Sequence, residues 1–182
     1  SEIEELVERV KARDEKHLRD SEKLLEEVKR RDRKLEEDSK KLLKDVKDLL
    51  RELEEVAKRG EVDEETVKDL ERRVREMLKE SRDRTKKWAD ELKELVERLR
   101  RHIEEWRKEL KRELERLEEE SDDERLRKLL DDLRKSIEES RKRSEEILRE
   151  AEDTMRKSVE TNERLLEELE RELRRVVEEL RR

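Results

Sequence analysis

The chain has 182 residues, 62% of them charged, with no Pro, Cys, Phe or Tyr and a single Gly; an ordinary globular domain is roughly a quarter charged. Its 53 basic and 60 acidic side chains leave a formal net charge of −7, and the two signs alternate, so no basic stripe offers a track for nucleic-acid phosphates. No run approaches the roughly 18 apolar residues of a membrane span, no signal peptide is visible, and without cysteine there is no thiol or disulfide chemistry.

High charge with few aromatics would signal disorder. Here, however, apolar residues recur at three- and four-residue spacing among Glu, Lys, Arg and Leu, all strong helix formers. The expected fold is all-α. The first helix opens at Ser1, which with Glu4 forms an S-x-x-E capping box, and is expected over 2–59. Within GEVDEETV, Gly60 can take the left-handed conformation that ends a helix and Asp63 can cap the next one. Val62 and Val67 stand one before and four after that cap, the spacing of a hydrophobic staple. The second helix is expected over 63–119.

ESDDER marks the third start, with Ser121 and Glu124 as another S-x-x-E box. It has no Gly, so an uninterrupted helix is the alternative. The apolar phase opposes it: Leu114 and Leu117 predict core positions near 121 and 124, yet the pattern resumes at Leu126, Leu129 and Leu133. A third helix over 122–181 follows. Turns this short force antiparallel neighbours. The expected architecture is one domain over 1–182, an elongated up-down-up three-helix bundle of nearly straight helices, each about 85–90 Å long. The handedness stays open.

Antiparallel pairing makes the register testable. If residue numbers of the first two helices add to about 120, Val10 meets Leu110 and Val46 meets Val74; if those of the second and third add to about 243, Leu117 meets Leu126 and Val67 meets Val176. Apolar then falls on apolar. The same register aligns polar residues at positions whose period calls for core. Asp14 is level with Trp106 and with Ser136 or Ile137, His17 with His102 and Ser140, and Ser21 with Leu99 and Ser144. A second set aligns Asp32 with Trp88 and Thr154, Thr85 with Ser158, and Ser39 with Ser81 and Asn162.

Buried polar groups left unpaired would cost several kcal/mol each, so these sets are expected to satisfy one another. An ionised Asp only accepts, an indole N–H only donates, and a hydroxyl does both. Asp14 would accept from Trp106 and Ser136, and Asp32 from Trp88 and Thr154. His17 and His102 would link Asp14 to the serines. The sets are related by a constant step of 18: Asp14 to Asp32, Trp88 to Trp106, Ser136 to Thr154, Ser21 to Ser39, Ser140 to Ser158 and Ser144 to Asn162. Eighteen residues are five turns of an unstrained helix.

Uniform Glu/Lys/Arg surfaces, Leu/Val/Ile cores, S-x-x-E and V-D-E-E-T helix starts and repeated polar layers resemble computationally designed helical bundles over the whole chain. The resemblance implies a parametric backbone, buried hydrogen-bond networks that fix register and partner, and no natural biochemical activity. Natural three-helix units such as spectrin-like repeats have shorter helices.

Asp14, His17 and Ser21 are triad residue types, but inward-facing positions in a narrow core leave no room for a substrate or an oxyanion site, so no catalytic residue is assigned. His17, His102 and Asp14 offer two nitrogens and an oxygen, one short of a closed zinc site; no metal and no cofactor are expected. The two histidines also raise a pH-sensitive switch. Desolvation lowers the proton affinity of a buried His while nearby Asp14 raises it, and the winner sets the sign. Finally, Leu6, Leu18, Leu25, Leu43 and Leu50 on the first helix and Leu130, Leu148, Leu166 and Val177 on the third widen the apolar stripe. That width suits a closed bundle, and it also suits a fourth helix from a designed partner or a second copy. A monomer requiring no partner is the leading expectation. No compartment is indicated; a soluble synthetic chain is expected in the cytoplasm on recombinant expression.

Overall fold

The spacing of apolar residues produces three helices, α1 (Glu2–Lys58), α2 (Glu64–Glu120) and α3 (Glu124–Arg181). The structure is a computed structural model and describes residues 2–60, 63–120 and 123–181. Ser1, Val62 and Ser121, read from sequence as two caps and half of a staple, lie outside the described residues.

The α1–α2 turn shows why its residues were needed. Gly60 has φ of 69°, a conformation that strains any residue with a Cβ. Its amide donates to the Ala57 carbonyl at 3.3 Å, after the Arg59 amide has donated to Glu55 at 3.2 Å; both bonds satisfy carbonyls that a helix end leaves open. Asp63 Oδ1 accepts from the Glu65 amide at 3.4 Å and starts α2. At α3 the same chemistry falls on Asp123, whose Oδ1 accepts from the Arg125 amide at 3.4 Å. Helix α3 therefore begins at Glu124, two residues later than expected. Acidic side chains crowd the first turns and Lys58 and Arg181 close α1 and α3, as the helix dipole favours. The last turn of α2 lacks a basic residue; Glu118 there is paired with Arg134 of α3.

Packing divides the chain into two compact units through which all three helices run: Ser1–Lys29 with Lys93–Thr154, and Arg30–Leu92 with Met155–Arg182. In the first unit Val7 and Val10 of α1 cluster with Trp106, Leu110 and Leu117 of α2 and Leu130 and Leu133 of α3. In the second, Val46, Leu50 and Leu53 cluster with Leu70, Val74 and Leu78 and with Leu169, Leu173 and Val176. Each buried aliphatic side chain contributes on the order of 1.5–3 kcal/mol, and each core draws on three helices.

Ion pairs report the register inside each unit. Arg13 with Glu109 and Arg31 with Glu91 bind α1 to an antiparallel α2. Between α1 and α3, which run parallel, Glu4 pairs with Arg125, Glu22 with Arg143 and Glu54 with Arg175. Between α2 and α3 the pairs are Arg100–Glu152, Arg107–Glu145 and Glu118–Arg134 in the first unit.

Candidate functional site

In the first unit the inward positions of α1 and α2 carry Asp14, His17, Ser21, His102 and Trp106. Asp14 and Trp106 are 4% and 8% exposed, and the Trp106 indole Nε1–H donates to Asp14 Oδ1 at 2.7 Å. A buried indole needs an acceptor and a buried carboxylate needs donors, so each group removes the other's desolvation problem. Arg13 covers the outer face of the indole, its guanidinium carbon 5.2 Å from the ring centre.

One turn further along α1, the His17 and His102 rings stack with centroids 3.9 Å apart and planes 21° from parallel. The Trp106 ring stacks on His17 in turn, at 5.3 Å. His102 Nε2 lies 3.4 Å from the His17 carbonyl oxygen and donates to it in the tautomer that places the proton there. Ser21, fully buried, donates to the same carbonyl at 3.0 Å. His17 Nε2 is buried without a partner. Burial, with the neighbouring charge of His102, lowers the His17 pKa from 6.5 to about 4, and the opposing pull of Asp20 is smaller. In the contest between desolvation and a carboxylate, desolvation prevails, and the carboxylate that opposes it is Asp20.

The serines of α3 take a lesser part. Ser144 is buried and Ser136 and Ser140 are half-buried, and among the described residues none of the three is hydrogen-bonded to Asp14, to Trp106 or to either histidine. The polar contacts of this layer run between α1 and α2. The two imidazoles meet face to face, and no group of three potential ligands gathers for a metal among the described residues.

The second unit arranges the same residue types differently. Asp32 and Trp88 are half-buried, and among the described residues no hydrogen bond joins them. The Trp88 ring instead lies under Lys34, whose Nζ is 5.0 Å from the ring centre. Thr154 is half-buried and belongs to the first unit. The bonded pair here is Ser39 with Asn162: the hydroxyl donates to Asn162 Oδ1, and Asn162 Nδ2 donates to the Ser158 carbonyl at 2.8 Å. Ser158 Oγ is buried without a partner. Ser81 and Thr85, with Ser39, line a cleft of about 270 Å³ between α1 and α2, whose walls include Leu35, Leu42 and Met77 and whose rim includes Asp38, Asp45 and Arg84.

Neither the ring stack nor the cleft was foreseen from sequence, yet both have a signal at the step of 18. His17 and His102 correspond to Leu35 and Arg84, so only the first unit can build the stack. Leu99 and Ile103, which are 0% and 3% exposed, correspond to Ser81 and Thr85. Two large aliphatic side chains give way to two small polar ones where the cleft opens.

Fold and side chains together define a three-helix bundle with polar residues set into its interior. The chain is similar to a solved computationally designed three helix bundle, with 24% identity over 98% of this chain and 87% of that one and a TM-score of 0.42. No protein-family model matches the chain, and no curated protein matches it. Among the described residues no helix is long and apolar enough to cross a membrane.

Proposed function

We propose that this chain is a designed structural scaffold, one bundle over 1–182, in which interior polar side chains select the heights at which helices pair. The observation that carries this reading is the buried Trp106–Asp14 hydrogen bond. A shift of either helix by one turn strands an indole N–H and a carboxylate in an apolar interior, at about 1–3 kcal/mol for the neutral group and more for the charge. Catalysis, cofactors, nucleic acid and membrane binding have no part in it.

Asp14→Leu tests the selection directly. The variant keeps the branched shape, at a somewhat larger volume, and removes the acceptor, and the expected outcome is additional conformers, visible as extra or broadened amide resonances. Buried polar groups do not confer uniqueness in every protein. A variant that is more stable than the parent and still shows one sharp set of resonances would overturn the role assigned to Asp14.

A second reading is favoured by the cleft beside Ser81 and Thr85 and by half-buried Leu42 and Met77: a further helix, from a partner or a second copy, could complete that flank. Light scattering separates the two. A mass of 22.6 kDa fits a self-contained scaffold, and a dimer fits an open one.

A further inference from the structure

We infer that the first unit carries an acid-operated release, in which protonation of His17 is incompatible with the stacked arrangement and opens that unit while the second stays closed. The inference goes beyond the scaffold reading and rests on it in one respect, that the residues around His17 stay packed at neutral pH.

The geometry leaves an imidazolium nowhere to go. His17 is 7% exposed, with the His102 ring 3.9 Å from one side and Trp106 also stacked against it. A protonated imidazole donates from both nitrogens, yet Nε2 is buried with no acceptor. Asp14, whose Oδ1 accepts from the indole, makes no hydrogen bond to His17 among the described residues. The other charges around the site do not compensate. On α1, Asp20 attracts a proton, and its pull is smaller than the effects of burial and of His102. On α2, the ring in contact is His102, and a charge there repels a second one. On α3, Arg141 is bonded to Glu138 and Glu145, and Arg143 to Glu146 and to Glu22 of α1. Arg13 adds a further positive charge above Trp106.

The direction follows from linkage. In the folded unit His17 binds a proton only near pH 4, while the open chain binds it at 6.5. Between those values the open state holds the extra proton, so acid favours opening, and the effect is complete below about pH 4. Both histidines of the chain lie in the first unit, and Leu35 and Arg84 occupy the equivalent positions of the second. The second unit is therefore an internal control.

Amide hydrogen exchange of the full chain at pH 7.5 and 5.5, corrected for intrinsic rates, reads the effect by segment. Protection over 2–29, 93–120 and 123–154 is expected to fall on the order of tenfold at pH 5.5, with 30–58, 64–92 and 155–181 changing less than about twofold. His17→Leu should abolish the fall, and His17→Gln, which keeps a neutral polar side chain, should do the same if the leucine variant misfolds. The inference is overturned if protection in the first unit is independent of pH, if the second unit loses as much, or if both variants retain the fall. A His17 ring that titrates near 6.5 in the folded protein would also overturn it. An Asp14→Leu chain that keeps one fold and still opens in acid would count against the scaffold role of Asp14 alone.

Discussion

Two layers built from the same residue types, eighteen positions apart, end in different states. In the first unit an Asp and a Trp are buried and bonded to each other. In the second, their counterparts Asp32 and Trp88 are half-buried, and the ring lies under a lysine. The difference comes from the neighbours. Around Asp14 and Trp106, the Val7, Val10 and Leu110 side chains and the His17 ring stacked on the indole belong to a core in which both groups are less than a tenth exposed, which makes an internal partner necessary. Asp32 and Trp88 are themselves only half-buried, so water can satisfy the same groups, and the same unit has small Ser81 and Thr85 lining a cleft where the first unit has Leu99 and Ile103.

The largest expected effect contrasts the two tryptophans. Trp106→Ala removes a buried ring and leaves Asp14 without its donor, at about 3–5 kcal/mol. Trp88→Ala removes a half-exposed ring whose contact is a surface lysine, at ~1–2 kcal/mol. Urea unfolding followed by far-UV circular dichroism measures both. Equal losses would mean that the two layers are sealed alike.

The carboxylates repeat the contrast at smaller scale. Asp14→Ala strands the Trp106 indole N–H in the interior and is expected to cost about 2–3 kcal/mol. Asp32→Ala should stay within about 1 kcal/mol, because its side chain has solvent to replace any partner. A cost at Asp32 as large as that at Asp14 would show that a bonded partner of Asp32 forms in solution.

Copying the first unit's residues into the second tests the explanation itself. Ser81→Leu with Thr85→Ile restores the aliphatic pair found at Leu99 and Ile103 and fills part of the 270 Å³ cleft. Additional apolar burial is expected to stabilise the protein by about 1–2 kcal/mol and to raise protection over 30–58 and 64–92. Destabilisation would mean that the α1–α2 spacing there is already closed around small residues and that the added methyl groups overpack it.

How much of this was legible in the sequence follows the same line. The three helices, their order and the pairing of His17 with His102 and Ser39 with Asn162 could be read because a 3.6-residue period and two short turns leave little freedom in register. Depth of burial could not. Whether Asp32 is sealed depends on the volumes of residues on another helix, and alignment by height says nothing about volume. The residue at which α3 starts is fixed by the sequence only to within a few positions, for a related reason. Ser121, Asp122 and Asp123 are all capping residue types, and only the backbone shows that the amide of Arg125 meets Asp123.

The smallest expected effect separates the turns. Gly60 holds φ of 69° with nothing within 4 Å of where a Cβ would stand, so space does not forbid a side chain there. Conformation does: an alanine in that left-handed state costs about 1 kcal/mol. Gly60→Ala should therefore lower stability by about that amount, with protection lost first in the last turn of α1 and the first turn of α2. Gly60→Asn should recover part of the loss, since asparagine tolerates the left-handed region better than alanine. At the α2–α3 turn the chain has no glycine, and its described anchor is the Asp123 cap, so Asp123→Ala is the matching change, at about 1 kcal/mol. If Gly60→Ala proved neutral while Asp123→Ala kept its cost, capping side chains alone would define both turns, and the single glycine of the chain would be dispensable.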